Sequence, residues 1–207
     1  MPLIIPPAPQ QSIDALRSVI PSLAHRPAML RVAPQLSSAT TTASAEELSP
    51  ALSHKVYTLG LSDFASPAGN GLSAAVLSGW RHTLVSGDEV VTVDTIPNEA
   101  DSGYRFSALS SNPSAPAVQS EIRNLNEAPD IAAASYEVSL LQIPALGVRA
   151  LWLRDPSGKA ADVLVPVAPV RSELVAGRRY QASEFTSALQ KAAAKILAND
   201  DPRKGSA

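Results

Sequence analysis

The sequence predicts an α+β fold: a mainly antiparallel sheet of about six or seven strands, two or three helices packed on one face, and a loose Pro-rich N-terminal arm. Three observations lead there. Between Tyr136 and Pro169 apolar residues recur at alternate positions in three successive runs, the period of strands. Short turns join neighbouring runs, and connections that short pair strands antiparallel, because parallel pairs need long crossovers. The helical stretches each carry a single apolar stripe, which suits a helix laid on one side of a sheet.

Taken in order, the chain opens with an apolar patch, Leu3, Ile4 and Ile5, followed by Pro6, Pro7 and Pro9. No basic residue precedes the patch and the apolar run is short, so it does not read as a secretory leader. From Gln10 a short helix is expected, with Ser12 as its cap, Ile13, Leu16 and Ile20 on one face, and Pro21 ending or kinking it; such a helix either packs on its own domain or docks a partner. Ala33 to Ala45 is small, polar and aperiodic, the composition of a linker. The expected organisation is therefore an arm over residues 1–45, one α+β domain over 46–199 and a polar tail over 200–207.

Within the main body, His54 to Leu61 alternates as a strand. Asn70 is placed to cap a short helix over Leu72 to Ser78 that Gly79 would end. Trp80 to Val85 and Glu89 to Ile96 read as a hairpin turning at Ser86-Gly87-Asp88, with Val91 and Val93 facing opposite Thr92 and Asp94. Tyr104 to Leu109 is a third strand. Ser114 then caps a helix whose stripe is Val118, Ile122 and Leu125, and Pro129 stops it. Three strands follow, Tyr136 to Ile143, Val148 to Leu153 and Ala161 to Val167, the last two joined by Asp155-Pro156-Ser157-Gly158-Lys159. The final element is a helix from Ser183, with Phe185, Leu189, Ala192 and Ile196 on one face.

Composition narrows the function classes. Seventeen basic residues against nineteen acidic ones give a net charge of −2, and the basic residues are scattered, so no field is built for nucleic acid. The absence of cysteine removes disulfides, thiolate metal sites and a cysteine nucleophile. The three histidines, His25, His54 and His82, lack metal-ligand spacing. No run reaches the length of a membrane span, and cytoplasm is the expected compartment. Neither a metal nor a cofactor is expected.

Motifs of catalysis are weak. Gly69-Asn70-Gly71-Leu72-Ser73-Ala74 fits the spacing of a dinucleotide loop, but the preceding strand ends too early and the following helix is too short, so it reads as a turn and helix cap. Ser86, His82 and Asp94 have the residue types of a nucleophilic triad without its local signature, and no catalytic set is assigned. Glu46-Glu47 and Asp200-Asp201 fall at a helix start and in the tail, where paired carboxylates suit solvation.

The leading expectation is a non-enzymatic domain that binds another protein, or itself, through an open sheet face or through the arm residues Ile13, Leu16 and Ile20. The alternative is a small-ligand protein or enzyme with a pocket near Trp80, His82 and Asp94, to which Trp152 contributes if it shares that face. A structural subunit of a larger assembly is the third reading. Against the ligand reading, Trp80 and Trp152 also fit as anchors of the core.

Overall fold

The computed structural model describes residues 3–23, 50–65, 71–86, 89–111, 114–170 and 172–199. The expected linker, the tail, His25, both carboxylate pairs, Gly69-Asn70 and the turn residues Gly87-Asp88 lie outside them.

The strands are β1 (Leu52–Thr58), β2 (Val76–Ser86), β3 (Glu89–Pro97), β4 (Tyr104–Ser110), β5 (Glu137–Ile143), β6 (Val148–Arg154), β7 (Val163–Pro166) and β8 (Tyr180–Gln181). The helices are α1 (Gln10–Leu23), α2 (Leu61–Ala65), α3 (Ser114–Asn126), α4 (Pro129–Ala132) and α5 (Ala182–Asn199), with 3-10 turns at Gly71–Ala74 and Pro144–Leu146. The fold is α+β, and the mostly antiparallel sheet has eight strands in the order β4-β3-β2-β1-β5-β6-β7-β8.

The described chain divides into two compact units. The first comprises Met1–Ile4, Tyr57–Leu77 and Glu121–Ala207; the second comprises Ile5–Val56 and Ser78–Ser120.

In the first unit β5 pairs antiparallel with β6, β6 with β7 and β7 with β8. Leu141, Ile143, Val148, Ala150, Trp152 and Leu164 form one buried face, against which α5 sets Phe185, Leu189 and Ala193. Their neighbours Val138, Leu140, Leu151, Leu153, Val163 and Val165 are buried as well. These strands are thus enclosed on both sides, which corrects the expectation of a single covered face. The physical reason is the unbroken apolar sequence of Ala150–Leu153 and Val163–Val165, the pattern of a strand buried on both faces. Between β6 and β7, the Asp155 carboxylate accepts from the Ser157 hydroxyl and from the amides of Ser157, Lys159 and Ala160. The Ser157 hydroxyl bond is the largest of the causes that hold its carboxyl down at about 2.

In the second unit β2 pairs antiparallel with β3, and β3 with β4. The register of β3 on β4 shifts between Asp94 and Thr95, leaving Ser107 as an extra residue on β4. The α1 helix packs against β3 and β4, with Leu16 and Ile20 fully buried among Leu84, Val91 and Val93. The arm helix is therefore part of this packed unit and does not stand loose. Burial of two such side chains stabilises by roughly 1.5–3 kcal/mol each.

Five local expectations are corrected. Ser12 is the third residue of α1 and not its cap; the amides of Ser12 and Ile13 bond to the Pro9 carbonyl, so the helix starts earlier and runs two residues past Pro21. The expected helix over Leu72 to Ser78 is a four-residue 3-10 turn followed by β2, and Pro129 begins α4 where it was expected only to stop α3. Gly79 lies inside β2 at φ 156°, where an added Cβ would stand 2.1 Å from the Thr95 carbonyl oxygen. Glycine is required there by close backbone approach, not by a helix end.

Gly79→Ala is expected to lose several kcal/mol of stability, since backbone has to move to admit the methyl group. Gly158→Ala meets no atom within 4 Å and bears only the strain of φ 68°, about 1 kcal/mol. Urea denaturation of the two variants side by side checks the difference.

Candidate functional site

The residues singled out in the sequence divide between two places. In β2 the side chains alternate: Trp80, His82 and Leu84 share one face, Arg81 and Thr83 the other. Register places Trp80 opposite Thr95, Arg81 opposite Asp94 and His82 opposite Val93. Cross-strand partners share a face, so Asp94 lies on the side away from Trp80 and His82. The three do not converge on a pocket. Asp94 is instead held by two guanidinium nitrogens of Arg81, Nε to Oδ1 and Nη2 to Oδ2, each at 2.7 Å.

What His82 meets is a set of hydroxyls. Its Nε2 lies 2.9 Å from Ser12 Oγ and 3.2 Å from Thr95 Oγ1, and its Nδ1 lies 2.9 Å from Ser53 Oγ. Ser12 Oγ and Thr95 Oγ1 are themselves 2.6 Å apart. Ser12, His82 and Thr95 have no exposed surface. A hydroxyl donates or accepts, so the cluster satisfies a neutral imidazole in either tautomer. Burial pushes the His82 pKa down to about 4, with Asp94 acting weakly the other way.

The sequence marks His82 but does not reveal Ser12 as its partner. A signal is present in the spacing: Ser12, Leu16 and Ile20 stand at i, i+4 and i+8, one line down the helix. Ile13, expected on the buried stripe, is only half-buried. Because Leu16 and Ile20 are already buried on Leu84, Val91 and Val93, they offer no surface to a partner.

His54 is also buried, at 1% exposure, and neither ring nitrogen has a hydrogen-bond partner among the described residues. Burial first, then the charges of Arg81 and His82, push its pKa down to about 3.

The second place is in the other unit. Trp152 is a core residue of the sheet face under α5, and its indole Nε1 donates to Asp162 Oδ2 at 2.9 Å. Tyr57 meets the Trp152 ring edge-on at 5.5 Å between centroids, and the Arg154 guanidinium lies over both rings, 4.4 and 4.5 Å from their centroids. Asp162 in turn lines a groove of about 530 Å³. Its other walls are Leu72 and Ser73 of the 3-10 turn and Ala182, Ser183, Thr186, Ser187 and Gln190 of α5. Positions 183, 186, 187 and 190 share a helix face by their spacing, apart from the buried Phe185 and Leu189. The Thr186 hydroxyl donates to the Ala182 carbonyl at 2.7 Å, which leaves its oxygen as an acceptor. The Gly71-Leu72-Ser73-Ala74 part of the dinucleotide-like motif contributes to this wall, but only as a four-residue turn. Sequence periodicity marks the apolar face of α5; its hydroxyl face has the composition of an ordinary solvated surface.

Both buried histidines have folded-state pKa values below the ordinary 6.5, so on acidification the unfolded chain takes up protons first. Stability is complete above about 6.5 and falls through that value toward 4 for His82 and 3 for His54, by at most about 1.4 kcal/mol per pH unit for each. Denaturant midpoints between pH 7 and about 4.5 check this. His54→Met is expected to be neutral or stabilising at pH 7 and to flatten the acid slope. Ser12→Ala is expected to lose about 1–3 kcal/mol, because it removes the two buried hydrogen bonds of the Ser12 hydroxyl, each worth roughly 0.5–1.5 kcal/mol, while His82 Nε2 and Thr95 Oγ1 keep each other as partners. Comparison with protein-family models, curated proteins and solved structures finds no match to this chain, so its own side chains carry the functional reading.

Proposed function

We propose that this chain is a non-enzymatic binding protein for a small polar molecule, held in the groove between α5 and the 3-10 turn at Gly71–Ala74. The observation that carries the reading is the groove's lining: four hydroxyl side chains, one amide and one carboxylate around about 530 Å³. That volume lies in the range of small-molecule sites, and convergent polar groups supply orientation. Four of the six groups, Ser183, Thr186, Ser187 and Gln190, stand on a helix anchored by buried Phe185 and Leu189, a rigid base for a site. The pocket moves from its expected place near Trp80, His82 and Asp94, whose side chains point to opposite faces, to Asp162, behind which Trp152 stands.

A second reading keeps a protein partner. Among the described residues β4 ends the sheet, paired only with β3, and an extended segment of another protein adds to such an edge through backbone bonds. It requires slowed amide exchange over residues 104–110 in the complex; unchanged exchange there in every complex the chain forms excludes it.

A thermal-shift screen of small polar compounds tests the groove. A ligand at a hundred times its Kd stabilises the folded chain by about 2.7 kcal/mol. Ser187→Phe fills the groove from a helix position outside the buried stripe, with little effect on folding, and is expected to abolish the shift. Ligands that stabilise the wild type and Ser187→Phe equally overturn the proposal.

A further inference from the structure

We infer that the ligand of this groove carries a cationic ammonium group beside hydroxyls, as an amino sugar or amino alcohol does, and that Asp162 is the residue that selects it. The inference rests on the groove reading above and names its ligand class. Among the described residues lining the groove, Asp162 is the only charged one. One carboxylate oxygen accepts the Trp152 indole N–H, and the other has no hydrogen bond among the described residues. An indole is a neutral donor, so it fixes the carboxylate's direction without cancelling its charge. The start of α5 contributes roughly half a positive charge, which leaves a net negative site. An ammonium group meets that charge with a charge-assisted hydrogen bond, the stronger kind. The remaining walls, Ser183, Thr186, Ser187 and Gln190, match the alternating donors and acceptors of hydroxyl groups.

Trp152 is thereby a positioning residue. Its ring is held by Tyr57 edge-on and by Arg154 above, and none of the three lines the groove.

The test is titration of the full chain with D-glucosamine and with D-glucose, which differ at one position by an ammonium in place of a hydroxyl. Amide shifts over residues 182–190 are read by NMR, in the wild type and in Asp162→Asn. The substitution removes the charge and keeps an oxygen for the Trp152 indole, and an unchanged Trp152 indole resonance confirms that the wall is intact. The expected result is glucosamine binding at least about tenfold tighter than glucose in the wild type, with the preference lost in Asp162→Asn. Equal affinity for both sugars in the wild type, or a preference that survives Asp162→Asn, overturns the inference and leaves the groove standing. If neither sugar moves the groove amides, while thermal-shift ligands that Ser187→Phe abolishes are all uncharged, the inference fails alone. If no compound depends on Ser187, the groove itself fails with it.

Discussion

The second unit depends on where the His82 imidazole finds its partners. Helix α1 reaches it with Ser12, strand β1 with Ser53 and strand β3 with Thr95, so four separated segments meet at one ring. With Ser12 over His82, the next two turns of α1 place Leu16 and Ile20 on Leu84, Val91 and Val93. Rotating the helix by one residue would set Ile13 against the imidazole and leave its Nε2 with Thr95 Oγ1, at 3.2 Å, in place of two hydroxyls. Such a displacement is penalised twice, by the loss of the Ser12 hydrogen bonds to His82 and Thr95 and by the apolar surface returned to water. The hydroxyl cluster thus specifies how the helix docks, while the leucine and isoleucine supply most of the attraction.

Which parts of this were legible in the sequence follows from what each signal measures. The three strands of Tyr136 to Pro169 and the hairpin of β2 with β3 were legible because alternation and turn chemistry are local. The helices α1 and α5 were legible from their stripes. Gly79 was not, because an isolated glycine after an alanine- and leucine-containing run looks like a helix end, whereas its cause is the carbonyl of Thr95, sixteen positions away in the chain. Ser12 escapes for the same kind of reason: a serine before an apolar run fits a cap, and only His82 and Thr95 reveal it as buried. Alternation alone sets Asp94 and Val93 on opposite faces, but which of these faces His82 shares is set by pairing register, which sequence does not state.

The first unit shows how a core residue shapes a surface. Trp152 fits, by sequence, either contact with a ligand or an anchor of the core, and it is buried with α5 packed over its sheet face. Its one polar atom still needs a partner in the interior, and Asp162 supplies it. That bond fixes a carboxylate at the margin of the core, where it lines the groove. The helix above divides its labour along the same line, Phe185 and Leu189 inward, Ser183, Thr186, Ser187 and Gln190 toward the groove. On the proposed reading, packing and recognition are two faces of one helix.

The contrast between the two places favours the groove. Ser12 and His82, 2.9 Å apart, have the spacing of a nucleophile and its base. Three features silence them. A base whose pKa is held near 4 has little drive to take a serine proton at neutral pH. The second imidazole nitrogen meets the Ser53 hydroxyl, which bears no charge to stabilise an imidazolium, while Asp94 is bound to Arg81 on the far face of the strand. And neither Ser12 nor His82 has surface that a substrate can reach. The groove differs: its polar side chains line an opening, and no histidine stands among the described residues that line it. The chain therefore uses its most reactive-looking residues to hold a helix in place, and on the proposed reading offers hydroxyls and one carboxylate for recognition.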